Sequence, residues 1–424
     1  MNMDKSIAVI GGGISGVSVA RMLTDGSESQ VVIYEKESTL GGLIRCKRTA
    51  DCLYHLLGGH VFNTKTPAVK EWFEQQFILN DFAWKERNAK ISIDEKTVGY
   101  PIENHLYQMD EGFQSKVVRE LLQLSATDQG EFTSFGDFLI KRFGKSLCER
   151  YFFPYNHKIW GMDLAEIPVS WLEGKLPMPT VEEILLSNIQ REGEKKMVHA
   201  TFLYAKENGS QFIIDSLAEG LELRCECPVD NIKVSPDGLF VNGADGYDVV
   251  VYTGDITRAS SVIKIEDQRA NELMGRLERL KARGVKNAFC ECDVTDTSWL
   301  YIPDPEFEAH RIIYTGQFSD SNNRGSDRMT CVVEFNYNTA DSVICEEIGQ
   351  LPGNLKLVET NKVEKAYVVQ DEETRKEIDE LKSILERHGL FLLGRFAEWE
   401  YYNIDKCMEA ALGVSASVQA YSAL

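Results

Sequence analysis

Two clusters of residues in this chain have the types and spacing to do chemistry. The first is Gly11-Gly12-Gly13-Ile14-Ser15-Gly16, a G-x-G-x-x-G loop, with Glu35 some twenty residues further on. In such a loop the first glycine permits a tight turn, the second lets a pyrophosphate approach the backbone, and the third lets a helix pack close on a sheet. An acid at the position of Glu35 accepts hydrogen bonds from a ribose. The second is the run Tyr151-Phe152-Phe153-Pro154-Tyr155-Asn156-His157-Lys158-Ile159-Trp160-Gly161. Aromatic residues at this density normally build a core, but Asn156, His157 and Lys158 among them point to a partly wetted, functional wall.

The elements that must position these residues can be read around them. Residues 7–10 and 31–34 are apolar runs suited to strands buried on both faces, and 14–23 reads as the helix between them. Residues 6–42 therefore form a complete dinucleotide-binding βαβ unit, with the helix amino terminus directed at phosphate. The pattern predicts a helix over 67–77, a hairpin over 89–100, and mostly helix to about 188, with clear stretches at 135–143 and 146–153. Strands follow at 229–234, 239–242 and 247–253, a helix at 211–219, and helix over 259–283. Four strands at 286–293, 298–302, 311–315 and 329–336 then suggest a sheet roofing the active site. A last helix starts near Ile404.

With 424 residues the chain is long enough for two or three domains, and its net charge of −20 argues against nucleic acid as a partner. The first strand begins so early that no signal peptide precedes it, and no apolar stretch is long enough for a membrane span, so a cytoplasmic protein without membrane insertion is expected. Ten cysteines, including the pairs Cys225/Cys227 and Cys290/Cys292, lack metal-type spacing and read as reduced thiols, with no metal site expected.

Three stretches resemble one flavoprotein family. Glu35-Lys36 leading to Gly41-Gly42-Leu43 and Arg45 resembles the E-x(5)-G-G extension of amine oxidases, protoporphyrinogen oxidases and UDP-galactopyranose mutases, in which it holds FAD. Tyr155, Lys158 and Trp160 match the mutase motif Y-x-x-K-x-W-G. The segment from Gly394-Arg395 through Tyr401, Tyr402 and Asn403 to Ile404 and Asp405 is similar to the mutase G-R-x-x-x-Y-x-Y-x-D-x-D signature.

The resemblance implies an α/β fold: an FAD-binding Rossmann-like domain (1–66 with 195–256 and 385–424), an inserted helical substrate domain (103–194), and an antiparallel β-sheet domain (67–102 with 257–384). Its cofactor set comprises Gly11, Gly13, Ile14, Ser15, Gly16, Glu35, Lys36, Gly42, Leu43, Gly59, His60, Val229, Gly394, Arg395, Tyr402, Asn403 and Ile404. Arg311, which matches the arginine of the mutase P-Y-T-R-I segment, His60 and Trp160 take catalytic roles. Tyr155, Lys158, Lys175, Tyr401 and Asn403 bind substrate. The implied activity interconverts pyranose and furanose forms of a nucleotide sugar for cell-surface polysaccharide, with the reduced cofactor as nucleophile. That chemistry calls for NAD(P)H or a reductase, and allows a homodimer. The alternative is an FAD-dependent oxidoreductase of the amine oxidase or protoporphyrinogen oxidase type. Three mutase positions are altered: Pro179 replaces the loop arginine that clamps the diphosphate, Phe335 a tyrosine, and Asn403 an aspartate.

Overall fold

The computed structural model describes residues 5–127, 130–169, 179–191, 200–243, 245–324 and 326–422. Its first sheet is built from short apolar strands. In spatial order these are Leu390–Leu392, Val249–Tyr252, Ser6–Ile10, Gln30–Tyr34 and Glu222–Arg224, all parallel. Strands sandwiched in this way bury both faces, which is why they read as continuous apolar runs. Ile7, Val9, Ile33 and Val251 pack with Val17, Met408 and Ala411, under the helices Ile14–Thr24 and Ile404–Ala420. Ala8, Val32, Val250 and Leu392 face the other side, toward a small sheet and the helices Gln268–Leu277 and Thr374–Glu386.

Between these pieces the chain inserts helices with locally encoded ends. Asp110 caps Glu111–Ser125, Ser134 caps Phe135–Phe143, and Thr180 with Glu183 forms a capping box on Val181–Gln190. The stretch expected as helix over 146–153 begins as one turn and then opens into a π-helix, Cys148–Phe152, before Phe153–Trp160 resumes α-helical geometry. Gly161 ends that helix in the left-handed conformation.

The second large sheet has seven strands: Lys356–Val369, Lys281–Cys292, Met329–Asn336, Arg311–Ile313, Trp299–Tyr301, Ala89–Ile93 and Lys96–Gly99. Its pairings are antiparallel except between Trp299–Tyr301 and Ala89–Ile93. The expected helix over 259–283 is corrected here. Ile263–Lys264 joins the small sheet, Asp267 caps a fresh helix at Gln268–Leu277, and Lys281 already begins a strand. Among the described residues no helix is long and apolar enough to cross a membrane.

Candidate active site

The glycine loop is held by backbone geometry. Gly11 has φ +107°, and a β-carbon on Gly16 would lie 1.9 Å from the Gly11 carbonyl oxygen. Gly13 differs from both: a β-carbon there would meet only the Gly42 α-carbon, at 3.9 Å. Its missing side chain therefore leaves space that no protein atom fills, as a cradle for a bound phosphate requires. Glu35 is buried; one carboxylate oxygen accepts the Gly12 N–H at 2.8 Å and the other the Glu37 N–H at 2.9 Å. The Cys227 N–H bonds the Glu35 carbonyl, which brings the segment containing Val229 alongside the end of the second strand. Lys36 points to solvent beside Glu37.

The amino ends of two helices meet at this loop. Cys407, in the first turn of Ile404–Ala420, hydrogen-bonds Ser15 in the first turn of Ile14–Thr24. Gly394 lies against the same serine, where a β-carbon would come within 2.5 Å of the hydroxyl. Two positive helix ends thus converge on one place, an arrangement suited to an anion. Asn403 is the exposed residue immediately before the second helix, and Ile404 is buried beneath it.

The second half of the site is a row across the seven-stranded sheet. Ladder pairing sets Tyr301 opposite Arg311, Arg311 opposite Glu334, Glu334 opposite Asn287, and Asn287 opposite Asn361. Directly opposed residues share a sheet face, so register alone assembles this polar row from five strands. Arg311 donates through Nε to Glu334 Oε2 at 2.6 Å and through Nη2 to the Tyr367 hydroxyl at 3.1 Å. Glu334 is fully buried; burial pushes its carboxyl up, but Arg311 and His310 outweigh that and hold it at about 2. Asn287 and Asn361 both donate to the Leu56 carbonyl, at 3.0 and 2.8 Å, and so clamp the loop that carries Gly58, Gly59 and His60 over the row.

His60 sits in that loop with its Nε2 buried and without a hydrogen-bond partner. Burial, with the nearby Arg395 and Arg311 charges, lowers its pKa to about 4, so the ring is neutral at pH 7. The glycine at 59 answers first to packing, because a β-carbon there would meet Ile313 at 2.5 Å and the Phe318 ring at 3.2 Å.

Aromatic side chains pack around the row. Trp160 meets the Tyr367 ring at 6.0 Å, Tyr367 stacks on Tyr401 at 5.9 Å, and Arg395 lies over Tyr401 at 4.2 Å. Tyr155 stacks on Tyr151 and meets Tyr301 edge-on at 5.3 Å, and it feels the Arg311 charge. The structure thus brings together Tyr155, Trp160, Arg311, Tyr401, Arg395 and His60, which are scattered in sequence. Tyr402 leans on the Rossmann-side core instead.

Lys158 does something different. Its ammonium donates to the carbonyls of Ile302 at 2.9 Å, Ala309 at 3.1 Å, and Asp304, bracing the loop before Arg311. Burial lowers its pKa to about 8, against the pull of Asp304 and Glu347. Lys175 lies outside the described residues. Phe335, expected as a missing hydroxyl in the site, is fully buried on the opposite sheet face with Ile344 and Ile348, so its change of type belongs to the core.

Glu334, Tyr301 and Tyr367 are the site residues that the sequence did not single out. Tyr301 and Tyr367 lack a local motif, and all three gain their places from strand register. Glu334 stands beside Phe335, and alternation along the strand was the available signal.

The match over the whole chain decides the architecture: a crystal structure of reduced UDP-galactopyranose mutase superposes with a TM-score of 0.88, covering 100% of this chain and 95% of that one at 18% identity. The chain has the fold of a UDP-galactopyranose mutase. A protein from Exiguobacterium sp. 255-15 assigned as a protoporphyrinogen oxidase shares that fold more loosely, with a TM-score of 0.75 at 15% identity over 99% of this chain and 100% of that one. Residues 9–76 match the model of an NAD(P)-binding Rossmann-like domain. The probable UDP-galactopyranose mutase of Klebsiella pneumoniae is 25% identical over 182 residues, 41% of this chain and 46% of that protein. The UDP-galactopyranose mutase of Mycoplasma pneumoniae is 26% identical over 276 residues, 58% and 61%. The dTDP-fucopyranose mutase of Escherichia coli is 25% identical over 179 residues, 41% and 46%. The chain thus spans about half of the length of the curated relatives it matches.

Proposed function

We propose that this protein is an FAD-dependent mutase that interconverts the pyranose and furanose forms of a nucleotide sugar. The observation that carries this reading is the convergence of Tyr155, Trp160 and Arg311 with Tyr367 and His60 in one cleft, on a fold whose other half is a dinucleotide cradle. The open space at Gly13, the buried Glu35 and the paired helix ends suit FAD. Gly11, Gly16, Gly42, Leu43, Val229, Gly394, Arg395, Asn403 and Ile404 would complete its binding. Bound there and reduced, the flavin would supply the nucleophile that displaces the nucleoside diphosphate at the anomeric carbon.

The chain's own residues do the rest. Tyr155 and Tyr301 present ring faces and edges to a nucleobase, and Arg311 brings a permanent cation to the diphosphate. Trp160, Tyr367 and Tyr401 enclose the sugar and exclude water. Relatives acting on UDP- and dTDP-sugars make uracil or thymine the expected base. NAD(P)H or a reductase would keep the flavin reduced, and the product would serve cell-surface polysaccharide synthesis in the cytoplasm. A homodimer is compatible with this reading. Pro179, in place of a clamping arginine, supports the second reading, an FAD-dependent oxidoreductase like the oxidase-type neighbour.

Titration of the reduced protein with UDP and UDP-galactose, followed by flavin absorbance, tests the choice. Saturable perturbation by both supports the mutase. No change up to millimolar ligand in either redox state, together with flavin reduction by an amine, porphyrinogen or alcohol, selects the oxidoreductase.

A further inference from the structure

The carboxylate of Glu334 is used unevenly. Oε2 takes the Nε and Nη2 donors of Arg311 and lies 3.4 Å from His310 Nε2, whereas Oε1 is buried with no hydrogen-bond partner. Glu334 is fully buried, so no bulk water reaches the bare oxygen. The bare oxygen faces Gly58. A β-carbon on Gly58 would lie 3.7 Å from Glu334 Oε1 and 3.9 Å from His60 Nε2, which is also buried without a partner, as are Asn287 Oδ1 and Arg395 Nε elsewhere in the site. The other face of the imidazole is directed to the Leu43 backbone carbonyl, which takes the ring's hydrogen and leaves Nε2 as an acceptor. Asn287 and Asn361 hold the Leu56 carbonyl, and with it this loop, at that distance from Glu334.

We propose that Glu334 Oε1 and His60 Nε2 form a two-acceptor subsite, in front of Gly58, that receives an N–H or O–H donor of a bound molecule. Buried acceptors of native proteins are paired, and two acceptors facing one point can be paired together only by a group that brings hydrogen. Arg311 and His310 act on the far oxygen and orient the carboxylate, so that the near oxygen stays presented. Two sources carry such a donor under the mutase reading, on which this inference rests: a hydroxyl of the sugar, or a protonated ring nitrogen of the reduced cofactor.

Two variants separate them. Gly58→Ala places a methyl group at the subsite without changing charge, and Glu334→Gln replaces an acceptor by an amide. If a sugar hydroxyl is the donor, both variants in flavin-loaded, reduced form weaken UDP-galactose binding about tenfold or more relative to UDP, and Gly58→Ala, which changes no charge, leaves the flavin midpoint potential unmoved. If the cofactor is the donor, Gly58→Ala makes that potential more negative and leaves the preference for UDP-galactose over UDP unchanged. Either result supports the subsite. Wild-type discrimination in both variants together with a wild-type potential in Gly58→Ala overturns it. Should the wild type bind neither UDP nor UDP-galactose, the mutase reading fails, and the potential arm still decides the subsite. Because Gly58 has φ +60° and Glu334 neutralises a buried arginine, either variant could lose its fold. A crystal structure of the unsubstituted reduced protein with UDP-galactose reads the same point. A sugar or flavin donor within hydrogen-bond distance of both atoms supports the assignment, and a lone water or an apolar atom there overturns it.

Discussion

The glycine loop and the polar row are built by different means. The cradle works through backbone: Gly11, Gly13 and Gly16 lie within six residues, and what matters is where side chains are absent. The row works through side chains that register assembles. Tyr301, Arg311, Glu334, Asn287 and Asn361 come from five strands, and apart from Tyr301 and Arg311 its neighbours are far apart in sequence. A local motif survives drift in the rest of the chain, whereas an assembled row depends on every strand keeping its place.

The sharpest way to break the symmetry between the two halves is Gly13→Val. It fills space that only a ligand would use, since the nearest protein atom to a β-carbon there is 3.9 Å away. The purified variant should fold, by circular dichroism, yet carry essentially no flavin by its visible absorbance. Full flavin occupancy would remove Gly13 from the cradle.

Arg311→Met breaks the row instead. It leaves Glu334 buried and unpaired, a loss of about 3–5 kcal/mol for a buried pair that loses one partner, which urea unfolding of the flavin-loaded protein should resolve. A cost below about 1 kcal/mol would mean that solvent reaches Glu334 and that the row is open.

This contrast also explains what the sequence disclosed. The cradle, its flanking strands and the helix Ile404–Ala420 were legible, because glycine spacing and apolar runs are local. Phe135–Phe143 and Met329–Asn336 have the limits expected of them. The helix drawn over 259–283 failed because its apolar spacing continues through Ile263–Lys264, which long-range pairing with Ile232–Lys233 captures as a strand. The Asp267 cap was the local sign that a new helix begins. Tyr367 was invisible for a related reason: Lys356–Val369 is a charged edge strand of the seven-stranded sheet, and only one inner flank is paired. Lys158 matched its motif, but its bonds to three carbonyls depend on a loop nearly 150 residues away in sequence.

A gentler probe is pH. His60 has its pKa lowered from 6.5 to about 4, chiefly by burial. The unfolded chain therefore takes up this proton first, and the stability tied to a neutral His60 is present above pH 6.5 and lost as pH falls from 6.5 toward 4. Glu334, held at about 2 against an ordinary 4.5, adds a second loss below pH 4.5. Burial lowers His55, His105 and His310 as well, so His60→Phe should reduce the slope of the first part of the melting-temperature profile without abolishing it, and leave the second. An unchanged slope between pH 6.5 and 4.5 would show that His60 does not contribute to it.

The smallest effect tests the sheet's other face. Phe335→Tyr restores the hydroxyl of the mutase segment, but into a packed core beside Ile344 and Ile348. It should cost about 1–3 kcal/mol of stability and leave ligand affinity unchanged. Tighter UDP binding would mean that position 335 reaches the cleft.

The central claim, that cradle and row serve one flavin-dependent sugar rearrangement, is tested most directly by turnover. The reduced protein, incubated without oxygen with UDP-galactopyranose or UDP-galactofuranose and analysed by chromatography, should bring either to the same mixture of the two, while the oxidised protein leaves both unchanged. Absence of interconversion by fully reduced, flavin-loaded protein that still binds UDP would contradict it.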